Sequence, residues 1–265
     1  MNDLKPTCDR KTKFWKNQKN TFGLLPGIEG SCPCATTAEG GCWNVPKGRK
    51  LPTCYVARTM SVYKGVYGAL RHNTLALKSV DLWGKIAVLD AEFNRFKKAE
   101  SKRVVPSTDY RLHWAGDIFD QEYAQALASA IQLNSDIQFW CYTRSFFAVP
   151  TLCNIPNLNL YLSLDPVNIQ HGLTVFSEHK TDKNNLQICY MNSENNYGTH
   201  LERAQQILNE ENRIRVELGY TPKSGAIPTE LSSCPVDEGK LALEGGCAIC
   251  KRCTRKKSKP IWFKS

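Results

Sequence analysis

The apolar and polar positions of the chain switch repeatedly between helical and strand period beyond residue 65. Leu70, Leu75, Leu77, Leu82, Ile86, Leu89 and Phe93 recur at roughly helical spacing, so 66–102 reads as one or two helices, with Asp81 placed to cap the second. Residues 110–115 (YRLHWA) then alternate as a strand and stop at Gly116. The segment 120–133 is amphipathic, with Tyr123, Leu127 and Ile131 on one helical face. Three further short apolar runs, 138–142 (QFWCY), 158–164 (LNLYLSL) and 186–191 (LQICYM), read as strands separated by helical segments or loops.

Strands alternating with helices imply βαβ units and a parallel sheet, open or curled into a barrel. The expected fold is therefore α/β, a partial (βα) barrel spanning 21–230. An amino-terminal extension, 1–20, precedes it, and a cysteine-rich segment with a basic tail, 231–265, follows. Chemistry in such folds gathers at the carboxyl ends of the strands. The chain places polar residues there: Asp117 after the first strand, Thr143-Arg144-Ser145 after the second, Asp165 after the third and Asn192-Ser193-Glu194 after the fourth. Arg144 is suited to grip a carboxylate or phosphate with paired hydrogen bonds, or to pair with Asp165 or Asp117. Gly116 beside Asp117 leaves room for a ligand near the backbone. His113 and His72 read as packing residues.

Cysteine usage changes this picture. A chain of 265 residues buries a sizeable core without cross-links, yet this one has 12 cysteines concentrated at its two ends. No apolar run approaches the roughly 20 residues of a membrane span, and no apolar segment follows the polar start. The expectation is a cytoplasmic protein without a membrane partner, in which clustered thiols bind metal rather than form disulfides. Cys247, Cys250 and Cys253, with Cys234-Pro235 upstream, let one turn of backbone aim several thiolates at one centre. Four thiolates suit zinc and an iron–sulfur cluster alike. Cys32, Cys34, Cys42 and Cys54 form a looser set within a loop rich in Gly and Pro. Cys141, Cys153 and Cys189 sit in apolar stretches and read as core, and Cys8 as free. The net charge of +10, with Lys and Arg crowded into the tail beside Trp262 and Phe263, raises DNA or RNA as a partner. Aromatic residues at a terminus also dock onto their own domain.

The order of these features resembles the radical SAM superfamily. The segments CPCAT, CYVAR, LRHNTLAL, LHWAGDIFDQEYAQA, FWCYTRSF, LYLSLD and CP…CAICKRC are similar to a phage-encoded, radical-SAM-like iron–sulfur family known mainly by a gene-product number. The likeness runs from about residue 20 to 253. It implies a 4Fe-4S cluster held by Cys32, Cys42 and Cys54 and open to S-adenosylmethionine (SAM), with a second thiol set at Cys234, Cys247, Cys250 and Cys253. It also implies location in the cytoplasm of a phage host. Gly116 and Asp117 fall where that superfamily meets the cofactor's amino group, and Asn192 is a further candidate cofactor contact. The C-x3-C-x2-C loop of the superfamily is absent. On this reading Asp117, Arg144 and Asp165 carry radical chemistry on a nucleotide or nucleic acid. The alternative is a zinc-stabilised nucleic-acid-binding or base-modifying barrel in which Asp117 or Asp165 is a nucleophile. A third is a cluster-bearing redox or scaffold protein without a substrate.

Overall fold

The structure is a computed structural model that describes residues 3–7, 15, 17–35, 41–45, 50, 52–192, 197–218, 231–242, 245–254 and 260–264. Cys8 and residues 255–259, the densest part of the basic tail, lie outside the described residues.

Helical periodicity and capping account for the first helices. After α1 (Tyr55–Val62) come α2 (Lys64–Lys78) and α3 (Leu82–Glu100). Asp81 caps α3 as expected, its Oδ1 accepting from the Gly84 amide at 2.8 Å. Strand β1 (Asp109–Leu112) leads into α4 (Gln121–Leu133), which Asp120 caps by accepting from the Tyr123 amide at 2.7 Å. Next come β2 (Gln138–Thr143), a short helix α5 (Val149–Leu152), β3 (Leu158–Leu164), α6 (Ile169–His179), β4 (Leu186–Asn192) and α7 (Tyr197–Glu217). The carboxyl end adds β5 (Ser232–Ser233), α8 (Gly246–Cys250) and β6 (Ile261–Lys264).

All pairings in the sheet are parallel, in the order β1-β2-β3-β4-β6-β5. Because β1 to β4 are neighbours in chain order, right-handed crossovers place their connecting helices on one face. The contacts agree, with α3, α4, α5 and α6 packing in succession. Tyr110, Leu112, Phe139, Cys141, Leu160, Leu162, Ile188 and Tyr190 meet those helices and form the main core. The fold is thus α/β with a singly wound sheet, and the sheet stays open instead of closing into a barrel.

Alternation along the strands sends Arg111, Tyr142, Asn159, Tyr161 and Cys189 to the other face. There Tyr161, Cys189 and Ile261 form a second cluster with Tyr142, Cys234, Cys253 and Phe263. The carboxyl-terminal segment therefore covers the face that the helices leave bare. Trp262 and Phe263 belong to β6, paired with β4, and Phe263 meets Tyr142 edge-on at 5.6 Å. The alternative role as a base-stacking tail is corrected accordingly: these rings dock on the domain. At the opposite edge, residues 20–24 run beside β1, with Arg111, Trp114 and Leu24 amides donating to Asn20, Phe22 and Ala115 carbonyls.

Candidate metal centre at the carboxyl edge of the sheet

Where β1 and β2 end, the chain is knotted together by one carboxylate. Asp117 is 5% exposed. Its Oδ1 accepts from the Ile118 amide at 2.8 Å and the Thr143 hydroxyl at 2.6 Å, and its Oδ2 accepts from the Arg144 amide at 2.7 Å. Its own amide donates to the Ser31 hydroxyl at 3.1 Å, which donates in turn to the Leu25 carbonyl at 2.8 Å. Asp117 therefore fastens the ends of β1 and β2 to the loop that carries Cys32. Burial raises its pKa, against the pull of Thr143 and the two amides. Gly116, at φ +80°, is required beside it, since a Cβ there would lie 2.8 Å from the Leu24 carbonyl oxygen.

The side chain of Arg144 lies 9% exposed next to this brace. Its Nη2 pairs with Asp165 Oδ2, one of the two partners anticipated for it. Asp165 is itself fixed by Oδ1, which accepts from the amides of Val167 at 2.9 Å and Asn168 at 3.0 Å. The remaining donors of Arg144, Nε and Nη1, are buried and have no hydrogen-bond partner among the described residues. Two buried donors on a cation, unmatched among the described residues, fit an anionic partner.

Cys34, Cys42 and Cys54 lie within electrostatic range of that guanidinium. The Cys54 amide donates to the Cys42 carbonyl at 2.8 Å, holding the two cysteines side by side, and Cys54 stands at the amino end of α1. The amides of Val56 and Ala57 favour its thiolate, as does Arg144, although burial raises its pKa overall. Burial pushes the Cys42 thiol up to about 11, with Arg144 the leading opposing influence. Cys32 is raised beyond the usual thiol range by burial, then by Asp117, with Cys42 and Cys54 adding to it. Cys34 is raised by burial and Asp117 and lowered by Arg144. Among the described residues no three His, Cys, Asp or Glu side chains converge at metal-ligand spacing. Cys32, Cys42 and Cys54 are nevertheless near enough to oppose one another's ionisation. Half-buried soft donors that repel as thiolates fit a shared cation, which would reverse their reluctance to ionise.

The second set is separate. Cys253 lies against the far face of the sheet, where its sulfur accepts from the Tyr142 hydroxyl at 2.7 Å and its carbonyl from Asn159 Nδ2 at 2.8 Å. Its thiol is pushed up to about 11 by burial, eased by Tyr142 and opposed by Cys234 and Cys250. Cys247 and Cys250 belong to α8, and Lys251 follows in the left-handed conformation that turns the chain toward Cys253. None of the 11 described cysteines forms a disulfide. Cys141, Cys153 and Cys189 are core residues as expected, Cys189 in the second cluster, where Cys253 packs against it. Asn192 ends β4, and its side chain lies outside the described residues. Sequence reasoning missed Ser31 and Thr143 as members of the brace; only the adjacency of strand ends reveals them.

His113 is a packing residue. Its Nε2 lies 2.7 Å from the Tyr123 hydroxyl, and burial lowers its pKa to about 3.

The profile of the gene product 88 family matches residues 3–256. The Gene 88 proteins of Mycobacterium phage L5 and Mycobacterium phage D29 are each 36% identical over 152 residues, which is 57% of this chain. The aligned part spans 59% of the L5 protein and 58% of the D29 protein. No solved structure matches. No described helix is long and apolar enough to cross a membrane.

Proposed function

The chain belongs to the gene product 88 family, and we propose that it is an iron–sulfur protein whose reactive centre is carried by Cys32, Cys42 and Cys54, acting on a nucleotide or nucleic acid. The observation that supports this is Arg144, two of whose buried donors have no hydrogen-bond partner among the described residues, within electrostatic range of Cys42 and Cys54. A centre bearing three thiolates and sulfides is anionic, and Arg144 supplies the counter-charge and the N–H groups to meet it. Cys32, Cys42 and Cys54 would hold such a cluster, and it would supply one-electron chemistry when reduced. Asp165 holds the guanidinium in place, and the Asp117 brace holds the Cys32 loop against β1 and β2. With both its oxygens engaged by the protein, Asp117 positions the site, and Arg144 is the residue left to address a ligand.

Anaerobic purification after iron and sulfide reconstitution tests the reading. Brown protein with iron and sulfide in cluster ratio is expected, with Cys32→Ser, Cys42→Ser and Cys54→Ser together removing part of the iron and Cys250→Ser another part. Titration with SAM then reports whether a ligand position is open at the first set. Colourless protein holding stoichiometric zinc at both sets would overturn the proposal and favour the zinc-stabilised alternative.

A further inference from the structure

Between Cys42 and Val80 the chain has no Asp or Glu, yet seven Lys and Arg: 47, 49, 50, 58, 64, 71 and 78. Part of this surplus is exposed on the consecutive helices α1 and α2. Arg58 of α1 and Lys64 and Arg71 of α2 are exposed, and none forms an ion pair among the described residues. Tyr63 and Tyr67 stand among them, 63% and 47% exposed. Positions 64, 67, 68 and 71 share a helix face by their spacing. On α2, Gly65 and Gly68 have open space where a Cβ would stand, with nothing within 4 Å. Glycine weakens a helix interior, and here no internal packing requires it. Its effect is to keep the face low between the tyrosine rings and the cations, so that an extended partner can lie against the helix backbone.

From this surface we infer that α1 and α2 form a binding face for single-stranded nucleic acid. Each part of the chemistry selects that partner. Unpaired cations without local acids take phosphates, and exposed rings take unpaired bases by stacking. A duplex offers the phosphates but keeps its base faces stacked inside, and an acidic protein offers charge without rings to stack. Since α1 starts directly after Cys54, a strand bound here would lie beside the carboxyl edge of the sheet. The inference rests on the surface alone and stands whether or not the thiols carry a cluster.

Fluorescence anisotropy of a labelled oligothymidylate, titrated with the full-length protein over a range of salt, tests it. Wild type is expected to bind, with log affinity falling linearly with log salt. Arg58→Gln, Lys64→Gln and Arg71→Gln combined should flatten that slope by about 2, at roughly 0.7 for each lost single-strand phosphate contact. Tyr63→Ala with Tyr67→Ala should leave the slope intact and weaken binding at least about tenfold. Melting temperatures equal to wild type establish that these surface variants fold. Absence of binding at low salt, an unchanged slope in the triple variant, or equal affinity for duplex with no effect of the tyrosines would each overturn the inference. So would a slope that flattens only when Lys256, Lys257 and Lys259 are replaced by Gln.

Discussion

Asp117→Asn changes one oxygen to an NH2 group and tests the knot at the carboxyl edge. The carboxylate meets three donors, the amides of Ile118 and Arg144 and the hydroxyl of Thr143, and meets them on both oxygens. An amide has one oxygen. Placed toward Ile118 and Thr143, it turns its NH2 onto the Arg144 amide; placed toward Arg144, it turns NH2 onto the other two. In either orientation a buried N–H or O–H loses its acceptor and faces a donor. One hydrogen bond to a charged group contributes about 1.5–3 kcal/mol, and a stranded buried donor costs a similar amount. Against this stands the relief of no longer burying a charge, which is why the Asp117 pKa is raised. The net expectation is a loss of about 3 kcal/mol, or roughly 6 °C in melting temperature at about 2 °C per kcal/mol for a chain of this size. The assay is thermal unfolding followed by circular dichroism on reduced protein stripped of metal with a chelator, so that no ligand contributes. A melting temperature indistinguishable from wild type would refute the brace and return Asp117 to the role of an acceptor held ready for a ligand.

His113 is buried with its pKa lowered to about 3, so the unfolded chain takes up a proton below the ordinary 6.5 that the folded chain refuses. Stability from this residue is complete above pH 6.5 and falls with acidity by about 1.4 kcal/mol per pH unit. His113→Asn, which tolerates the φ of +53°, should therefore gain on wild type at that rate in urea titrations stepped from pH 6.5 to 4.5. Gly116→Ala should cost at least about 2 kcal/mol by urea unfolding, because it combines a left-handed backbone with contact against Leu24. Tyr142→Phe removes the hydroxyl that eases ionisation of Cys253, so uptake of zinc by the carboxyl-terminal set, followed with a chromophoric chelator, should shift to higher pH.

Periodicity carried the middle of the fold. Residues 158–164 form β3 with the expected limits, and the strands at 138–143 and 186–192 differ from their apolar runs by one residue. The first strand is shorter than its alternation suggests. It ends at Leu112 because His113 takes φ +53° and turns out of the ladder. Helix α1 left no clear trace, being eight residues without a side-chain cap, and its place is set by the Cys42–Cys54 contact. Strand β6 was equally hidden. IWFK follows a run of lysines and looks like a tail, and only pairing with β4, some 70 residues earlier, makes it a strand. The two thiol sets were legible as spacings. The roles around them were not, because which groups Asp117 and Arg144 engage depends on strand ends that meet across 27 residues of chain.

A singly wound sheet has one face that its own crossovers cannot cover. Here the chain covers that face with a carboxyl-terminal segment whose regular structure, among the described residues, amounts to two short strands and a five-residue helix. So little secondary structure cannot hold such a stretch by itself, and its apolar contacts are few: Ile261, Phe263 and two of the thiols on the far face, with Leu231 and Trp262 against the main core. The thiols are therefore placed where a cross-link does most for folding. A centre joining Cys234, beside β5, to Cys247 and Cys250 of α8 and to Cys253 under Tyr142 would tie the covering segment at three points to the sheet it protects. That coupling would make any metal at the carboxyl-terminal set part of the fold, with binding energy acting as folding energy. The set around Arg144 differs, because the strand ends and the Asp117 brace already hold its surroundings without metal. Chelation should accordingly expose Tyr142 and Tyr161 to solvent well before it disturbs β1 and β2.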